Sequence, residues 1–131
     1  MYLIDSSAWI EYLRPKGSAK VKERVREVLD REGALTCGVV IVEVLRGALD
    51  EKSFQVLSDH FKALQSVPMD DEVIERAARW GFALLRKGKR VSTTDLLIAA
   101  AAHGKAVLLH IDSDFQVISS VTGLNEVKLA L

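Results

Sequence analysis

Residues 1–15 read MYLIDSSAWIEYLRP and contain the signals of a strand, a turn and a helix. The apolar run Met1–Ile4 is typical of a short buried strand. Asp5 and the two serines after it favour a helix start, because side-chain oxygens at that place accept hydrogen bonds from free backbone N–H groups. Pro15 cannot continue a helix, so we expect the helix to end near Leu13. This stretch predicts the first strand–helix unit of an α/β fold.

The same alternation of short strands and helices continues along the chain. Hydrophobic periodicity predicts further helices over 18–31, 38–49, 53–64, 70–87, 93–103 and 115–121, and apolar runs predict strands over 34–36, 66–67, 106–110 and 125–129. Such alternation favours a central parallel β-sheet flanked by helices on both faces. We expect an α/β fold in a single domain, residues 1–131. In sheets of this kind ligands bind beyond the carboxyl ends of the strands.

Composition places the chain among globular proteins of a reducing compartment. Hydrophobic residues make up 49% of the sequence, and 18 basic residues balance 18 acidic ones, so net charge gives no argument for nucleic acid. No apolar run approaches the ~20 residues that cross a bilayer. The N-terminus lacks the basic segment of a signal peptide. Cys37 has no partner for a disulfide and is expected to be buried. We therefore expect a cytoplasmic location and no membrane association.

Five acidic residues lie in or beside apolar runs, where a charge is costly to desolvate unless something pairs with it. They occur in the segments MYLIDSSAWI, GVVIVEVLRG, STTDLLIAAAA and VLLHIDSDF, and they are Asp5, Glu43, Asp95, Asp112 and Asp114. If the fold brings them together, they form an oxygen-lined pocket for a divalent metal.

Each of these acids also has a structural explanation. Asp5 can cap the helix that follows it. Ser92 and Asp95 match a capping box at the start of the helix over 93–103. Glu43 can form an exposed ion pair with Arg46, one turn away. The two acids after the strand 106–110 can be ordinary loop residues. The functional interpretation therefore rests on the whole set.

A parallel sheet would collect these acids at one edge, and carboxylates that close raise one another's pKa. The three histidines are scattered without metal-ligand spacing, so an all-oxygen site would select Mg²⁺, or Mn²⁺ in its place, over zinc. Such a site suits phosphodiester hydrolysis, in which the metal activates a water molecule. The basic stretches 14–31 and 86–90 could hold phosphates, and the alternative is that they only solubilise helices.

At these residues the chain resembles the PIN-domain family, and most closely its VapC ribonuclease toxins. Four segments carry the resemblance in order over the whole length: LIDSSAWIEYL, VVIVEVLRG, VSTTDLLIAAAA and LLHIDSDFQVIS. One departure is visible, because many members have Thr or Ser where this chain has His110. That difference removes one hydroxyl group but no acid.

The resemblance implies a Mg²⁺-dependent endoribonuclease that forms homodimers and is inhibited by a small VapB-like antitoxin. It implies a carboxylate shell of Asp5, Glu43, Asp95 and Asp112, with Asp5 and Asp95 as direct ligands and Asp114 in support. Two alternatives remain open: a housekeeping PIN nuclease that processes RNA, and a non-catalytic PIN-like binding module. The helical aromatic residues are Trp9, Tyr12, Phe54, Phe61 and Trp80. Some of them are expected to line a groove or a dimer face, and the alternative, favoured for any single one, is a place in the core.

Overall fold

The computed structural model describes residues 1–131 and contains one parallel β-sheet of five strands in the order β3-β2-β1-β4-β5. The strands are β1 Tyr2–Ile4, β2 Ala34–Cys37, β3 Gln65–Val67, β4 Val107–His110 and β5 Glu126–Lys128. The helices are α1 Ser6–Leu13, α2 Ala19–Glu27, α3 Gly38–Leu45, α4 Glu51–Lys62, α5 Asp71–Arg86, α6 Thr93–Ala102 and α7 Asp114–Thr122. The predicted α/β class is confirmed.

Helices cover both faces of the sheet at its centre. Consecutive residues of a strand point to opposite faces, so two fully buried neighbours require cover on both sides. Leu3 and Ile4 in β1 are fully buried, and so are Leu108 and Leu109 in β4. The near-continuous apolar character of these strands follows from that position.

The strand register sets where the connecting turns meet. β1 is the central strand, with Tyr2 and Leu3 beside Ala34 and Leu35 of β2 and with Tyr2 to Ile4 beside Val107 to Leu109 of β4. All strands run in the same direction, so the turns after β1, β2 and β4 lie at one edge of the sheet. Three helices begin at this edge directly after those strands: α1, α3 and α7.

Two helices differ from the sequence-based expectation. The helix predicted over 38–49 ends at Leu45, and a turn follows in which Gly47 N–H donates to the Val44 carbonyl. Leu49 is 94% exposed, so no apolar contact holds the chain helical to that point. The helix predicted over 18–31 is α-helical only to Glu27 and continues as one π-helical turn, Val28–Glu32.

None of the helices is both long enough and apolar enough to cross a lipid bilayer.

Candidate metal centre

Two strand-to-helix connections and two helices bring the five acids to the carboxyl edge of the sheet. Asp5 directly follows β1, and Asp112 and Asp114 follow β4, as expected for a parallel sheet. Glu43 lies in the middle of α3, and Asp95 lies in the first turn of α6.

Three of these carboxylates form a tight group. Oxygen atoms of Asp95, Asp112 and Asp114 all lie within 4.8 Å of one another, and all three side chains are half-buried. None of the ion pairs in the structure includes any of the five acids. The negative charges of the group are therefore not compensated by any Lys or Arg of the chain.

The pKa of Asp95 shows the effect of these surroundings. Burial, and after it the charge of Asp112, raise the pKa of Asp95 from 3.8 to about 7, with smaller contributions from Asp5 and Asp114. The Asp95 N–H donates to the Ser92 hydroxyl at 3.1 Å, which caps α6. The cap uses the backbone N–H of Asp95, and a contact of its carboxylate with Ser92 offsets only part of the rise in pKa.

Asp5 divides its two oxygens between two surroundings. Oδ2 accepts from the Ser7 backbone N–H at 2.9 Å and from the Ser7 hydroxyl at 2.5 Å, which caps α1. Oδ1 is buried and has no hydrogen-bond partner. Burial raises the pKa of Asp5, the bonds from Ser7 lower it, and the charge of Glu43 raises it again. A buried oxygen without a donor needs a partner from outside the chain.

Glu43 is held by a serine of the first turn of α1. The Ser6 hydroxyl donates to Glu43 Oε1 at 2.9 Å, which links α1 to α3 at the sheet edge. The ion pair with Arg46 that the helical spacing suggested is absent. The Ser6–Glu43 bond therefore takes the place of the expected surface pair.

The turn after β4 is fixed by hydrogen bonds on both sides. Ile111 N–H donates to the Ser7 hydroxyl at 3.2 Å, which joins this turn to the Asp5 side of the centre. Asp114 N–H donates to Asp112 Oδ1 at 2.9 Å. As with Asp5, one oxygen of Asp112 has a structural role in a turn.

All five acids stay predictions as site residues, but the geometry changes their relative weight. The sequence ranked Asp114 last, whereas its carboxylate belongs to the tight group. The hydroxyls of Ser6 and Ser7 donate to Glu43 and Asp5 and hold these two carboxylates in place. Glu126, which bonds the ring of His110 at 2.7 Å, was missed, since only the placement of β5 beside β4 brings it near the turn.

The two basic stretches occupy different surroundings. Arg24 is bound by Glu27 and Glu32, and its guanidinium lies 5.2 Å from the centre of the Tyr2 ring. Tyr2 begins β1, so Arg24 is at the edge opposite the acids. Residues 86–90 are exposed, make no ion pair and lead within two residues to the Ser92 cap of α6. The second stretch therefore lies nearer to the acids.

These donors fit a hard divalent cation. Carboxylate oxygens are the ligands that Mg²⁺ and Mn²⁺ prefer, and the group offers no thiolate or imidazole that would favour zinc. The partnerless Oδ1 of Asp5 and the raised pKa of Asp95 indicate the same need for positive charge.

Comparison with protein families gives one match over most of the chain. The family model described as "PIN domain" matches residues 2–120 of the chain. Ribonuclease VapC11 of Mycobacterium tuberculosis is 42% identical over 130 residues, which cover 95% of this chain and 96% of that protein.

Solved structures share the fold at lower sequence identity. The structure of VapBC2 from Rickettsia felis bound to a DNA fragment from its promoter has a TM-score of 0.78 at 17% identity and covers 98% of each chain. Mycobacterium tuberculosis VapC20, described as a sarcin-ricin loop cleaving toxin, has a TM-score of 0.71 at 18% identity and covers 98% of this chain and 100% of that one. At these identities the likeness concerns the fold.

The raised pKa of Asp95 predicts how the metal-free protein responds to pH. An acid whose pKa is higher in the folded state than in the unfolded one costs stability as pH rises, here between 3.8 and about 7. Asp95→Asn should therefore stabilise the metal-free protein by about 1–2 kcal/mol at about pH 8 and have little effect near pH 4.

Thermal melts in the presence of a chelator across this pH range measure the difference. Asp59→Asn, a change at an exposed acid of α4, is the matched control and should leave the melting temperature unchanged. If Asp95→Asn and the wild type have the same melting temperature at every pH, the pKa of Asp95 is not raised in the folded protein.

Proposed function

Because the chain belongs to the PIN domain family, and within it to the VapC ribonucleases, we propose that it is a Mg²⁺-dependent endoribonuclease and the toxin of a toxin–antitoxin pair. The carboxylate group of Asp95, Asp112 and Asp114, uncompensated by any basic residue, is the observation that carries this function. We further propose that residues 1–131 act as one PIN domain located in the cytoplasm.

Asp5, Asp95, Asp112 and Asp114 would hold the cation, and Glu43 would complete the shell. Asp95 supports this assignment through its raised pKa, and Asp5 through an oxygen that has no donor. Ser6 and Ser7 hold Glu43 and Asp5 in place. Mg²⁺, or Mn²⁺ in its place, follows from the oxygen donors.

A bound divalent ion would supply an activated water and neutralise charge on the phosphate during hydrolysis. The chain itself offers no prepared nucleophile at the site, because the hydroxyls of Ser6 and Ser7 both donate to carboxylates. Neither hydroxyl donates to an imidazole or an amine, the bases that activate the serine of triad-type hydrolases. Direct hydrolysis by water therefore fits these residues better than a covalent intermediate.

Residues 86–90 are the surface that we propose for the RNA backbone. Their side chains are exposed and free of ion pairs, and they precede the helix that carries Asp95. The acids at the site would repel phosphates, so nearby cations are needed to hold the strand. Arg24 is unsuited to this role because it is bound by two glutamates at the opposite edge.

An apolar groove beside the acids is the surface that we propose for the antitoxin. The groove has a volume of about 580 Å³ and lies between α1, α3 and α4. Exposed apolar side chains line it, among them Ile10, Leu49 and Val56. Glu43 also lines it, so a protein bound there would reach the carboxylate shell. A partner segment with apolar side chains would bury this surface.

A stripe on α5 supports the homodimer that we propose. Ile74, Phe82 and Leu85 are each at least half exposed and recur at helical spacing on one side of the helix. Pairing of two such stripes would bury these side chains away from water. If the stripe forms the dimer contact, Phe82→Glu should be more monomeric than the wild type, and sedimentation equilibrium measures the difference.

Removal of a single carboxylate tests the nuclease directly. Asp5→Asn and Asp95→Asn should each lower the rate of RNA cleavage at least about a hundredfold, because each removes a charge that binds the cation. Asp59→Asn repeats the chemical change at an exposed site and should cleave as the wild type does. Cleavage of a labelled RNA in Mg²⁺ gives the rates. Full activity in both site variants would contradict the metal centre.

A pair of double variants tests the RNA surface. Lys89→Gln with Arg90→Gln should weaken RNA binding about tenfold and flatten its salt dependence, because fewer counterions are released. Arg26→Gln with Arg31→Gln removes equal charge near the opposite edge and should change neither. Filter binding at several salt concentrations provides both values. Equal losses in the two double variants would show that the binding surface is not the 86–90 stretch.

Charge reversal in the groove tests the antitoxin surface. Leu49→Glu should abolish neutralisation of the toxin by its antitoxin, because the variant places a charge among apolar contacts. The fold should be unaffected, since Leu49 is 94% exposed. Leu131→Glu, at an exposed leucine outside the groove, is the matched control. Growth rates of cells that express both proteins report neutralisation, and full neutralisation of Leu49→Glu would place the antitoxin elsewhere.

A further inference from the structure

His110 makes two hydrogen bonds although it is completely buried at the end of β4. Its Nε2 lies 2.7 Å from Oε2 of Glu126 in β5. Its Nδ1 accepts the backbone N–H of Asp112 at 3.1 Å. The ring therefore connects the last strand of the sheet to a member of the carboxylate group.

These partners determine which nitrogen carries the proton. The backbone N–H of Asp112 can only donate, so Nδ1 of His110 must be an unprotonated acceptor. Nε2 therefore carries a proton and donates it to the carboxylate of Glu126. The side chain of Glu126 is 15% exposed and fixes this tautomer by accepting that bond.

The main chain of Asp112 is consequently held on both sides. Its N–H donates to His110, and its carbonyl accepts the N–H of Phe115 at 3.3 Å. The His110 ring packs against the buried Phe115 ring with 4.9 Å between the centroids. The Asp112 carboxylate can therefore move little relative to Asp95 and Asp114.

We propose that His110 and Glu126 are a positioning pair that holds the Asp112 carboxylate in place for the cation, an inference that rests on the metal centre proposed above. Glu126 lies in β5, beyond residues 2–120 that the family model matches.

Loss of Glu126 would act on Asp112 through the imidazole. Without an acceptor at Nε2 the proton can move to Nδ1, where it would face the Asp112 N–H and repel it. The turn would then shift, and the metal ligands would lose their mutual arrangement. Outer residues that orient metal ligands commonly change metal affinity by tenfold to a hundredfold.

The experiment measures Mn²⁺ binding to the full-length metal-free protein by calorimetry. Glu126→Ala should weaken binding about tenfold, whereas Glu126→Gln keeps an acceptor for Nε2–H and should stay within about threefold of the wild type. Lys128→Ala changes an exposed residue of the same strand and should bind as the wild type does. If the role of Glu126 were purely structural, the folded Ala and Gln variants would bind Mn²⁺ with equal affinity.

A second pair of variants and one spectrum separate this claim from the metal centre itself. His110→Asn offers an oxygen near the position of Nδ1 and should bind Mn²⁺ more tightly than His110→Leu. In ¹⁵N spectra of the metal-free wild type, His110 should carry its proton on Nε2, and a proton on Nδ1 would overturn the proposal even if Glu126→Ala fails to fold. Equal Mn²⁺ affinity of the wild type and folded Glu126→Ala would overturn the positioning role alone. Absence of Mn²⁺ binding by the wild type would overturn the metal centre and this role with it.

Discussion

The partial burial of several carboxylates, together with their mutual repulsion, is the constraint on which the functional edge of this protein depends. The parallel sheet places acids at the ends of two strands and beside two helices, and no Lys or Arg of the chain compensates them. The pKa of Asp95, raised to about 7, measures the cost of this arrangement. A divalent cation bound among these carboxylates would remove this cost.

Three of the five acids are tolerated in the metal-free protein because their side chains have a part in the local structure. One oxygen of Asp5 caps α1, one oxygen of Asp112 closes a turn with Asp114, and Glu43 accepts from Ser6. The structural and functional explanations of these residues are therefore compatible. At Asp5 the two explanations concern different atoms. Oδ2 caps α1, whereas Oδ1 has no hydrogen-bond partner and could bind a cation.

Most of the fold could be predicted because its signals are local. The strand, cap and proline of residues 1–15 predict the first unit, and hydrophobic periodicity predicts the helices that follow. The end of α3 could not be predicted, because the loss of helix after Leu45 reflects missing tertiary contacts of the residues that follow, such as Leu49. Secondary structure of this kind is decided by packing.

The residues of the site could be predicted from the sequence, whereas their arrangement relative to one another could not. Parallel strands meet at one edge whatever their spacing in the chain, so Asp5 and Asp112 could be paired in advance. The closeness of Asp114 to Asp95, the bond of Ser6 to Glu43 and the contact of Glu126 with His110 depend on side-chain directions. Arg24 likewise forms ion pairs with two glutamates. It is therefore not available to bind RNA, although the basic composition of its stretch suggested that role.

The location of a bound cation tests the central claim most directly. Crystals soaked in Mn²⁺ and measured at the manganese absorption edge would reveal the ion in an anomalous difference map. The account predicts a peak among the carboxylates of Asp95, Asp112 and Asp114. A map with no peak among these carboxylates, at an ion concentration that supports RNA cleavage, would contradict it.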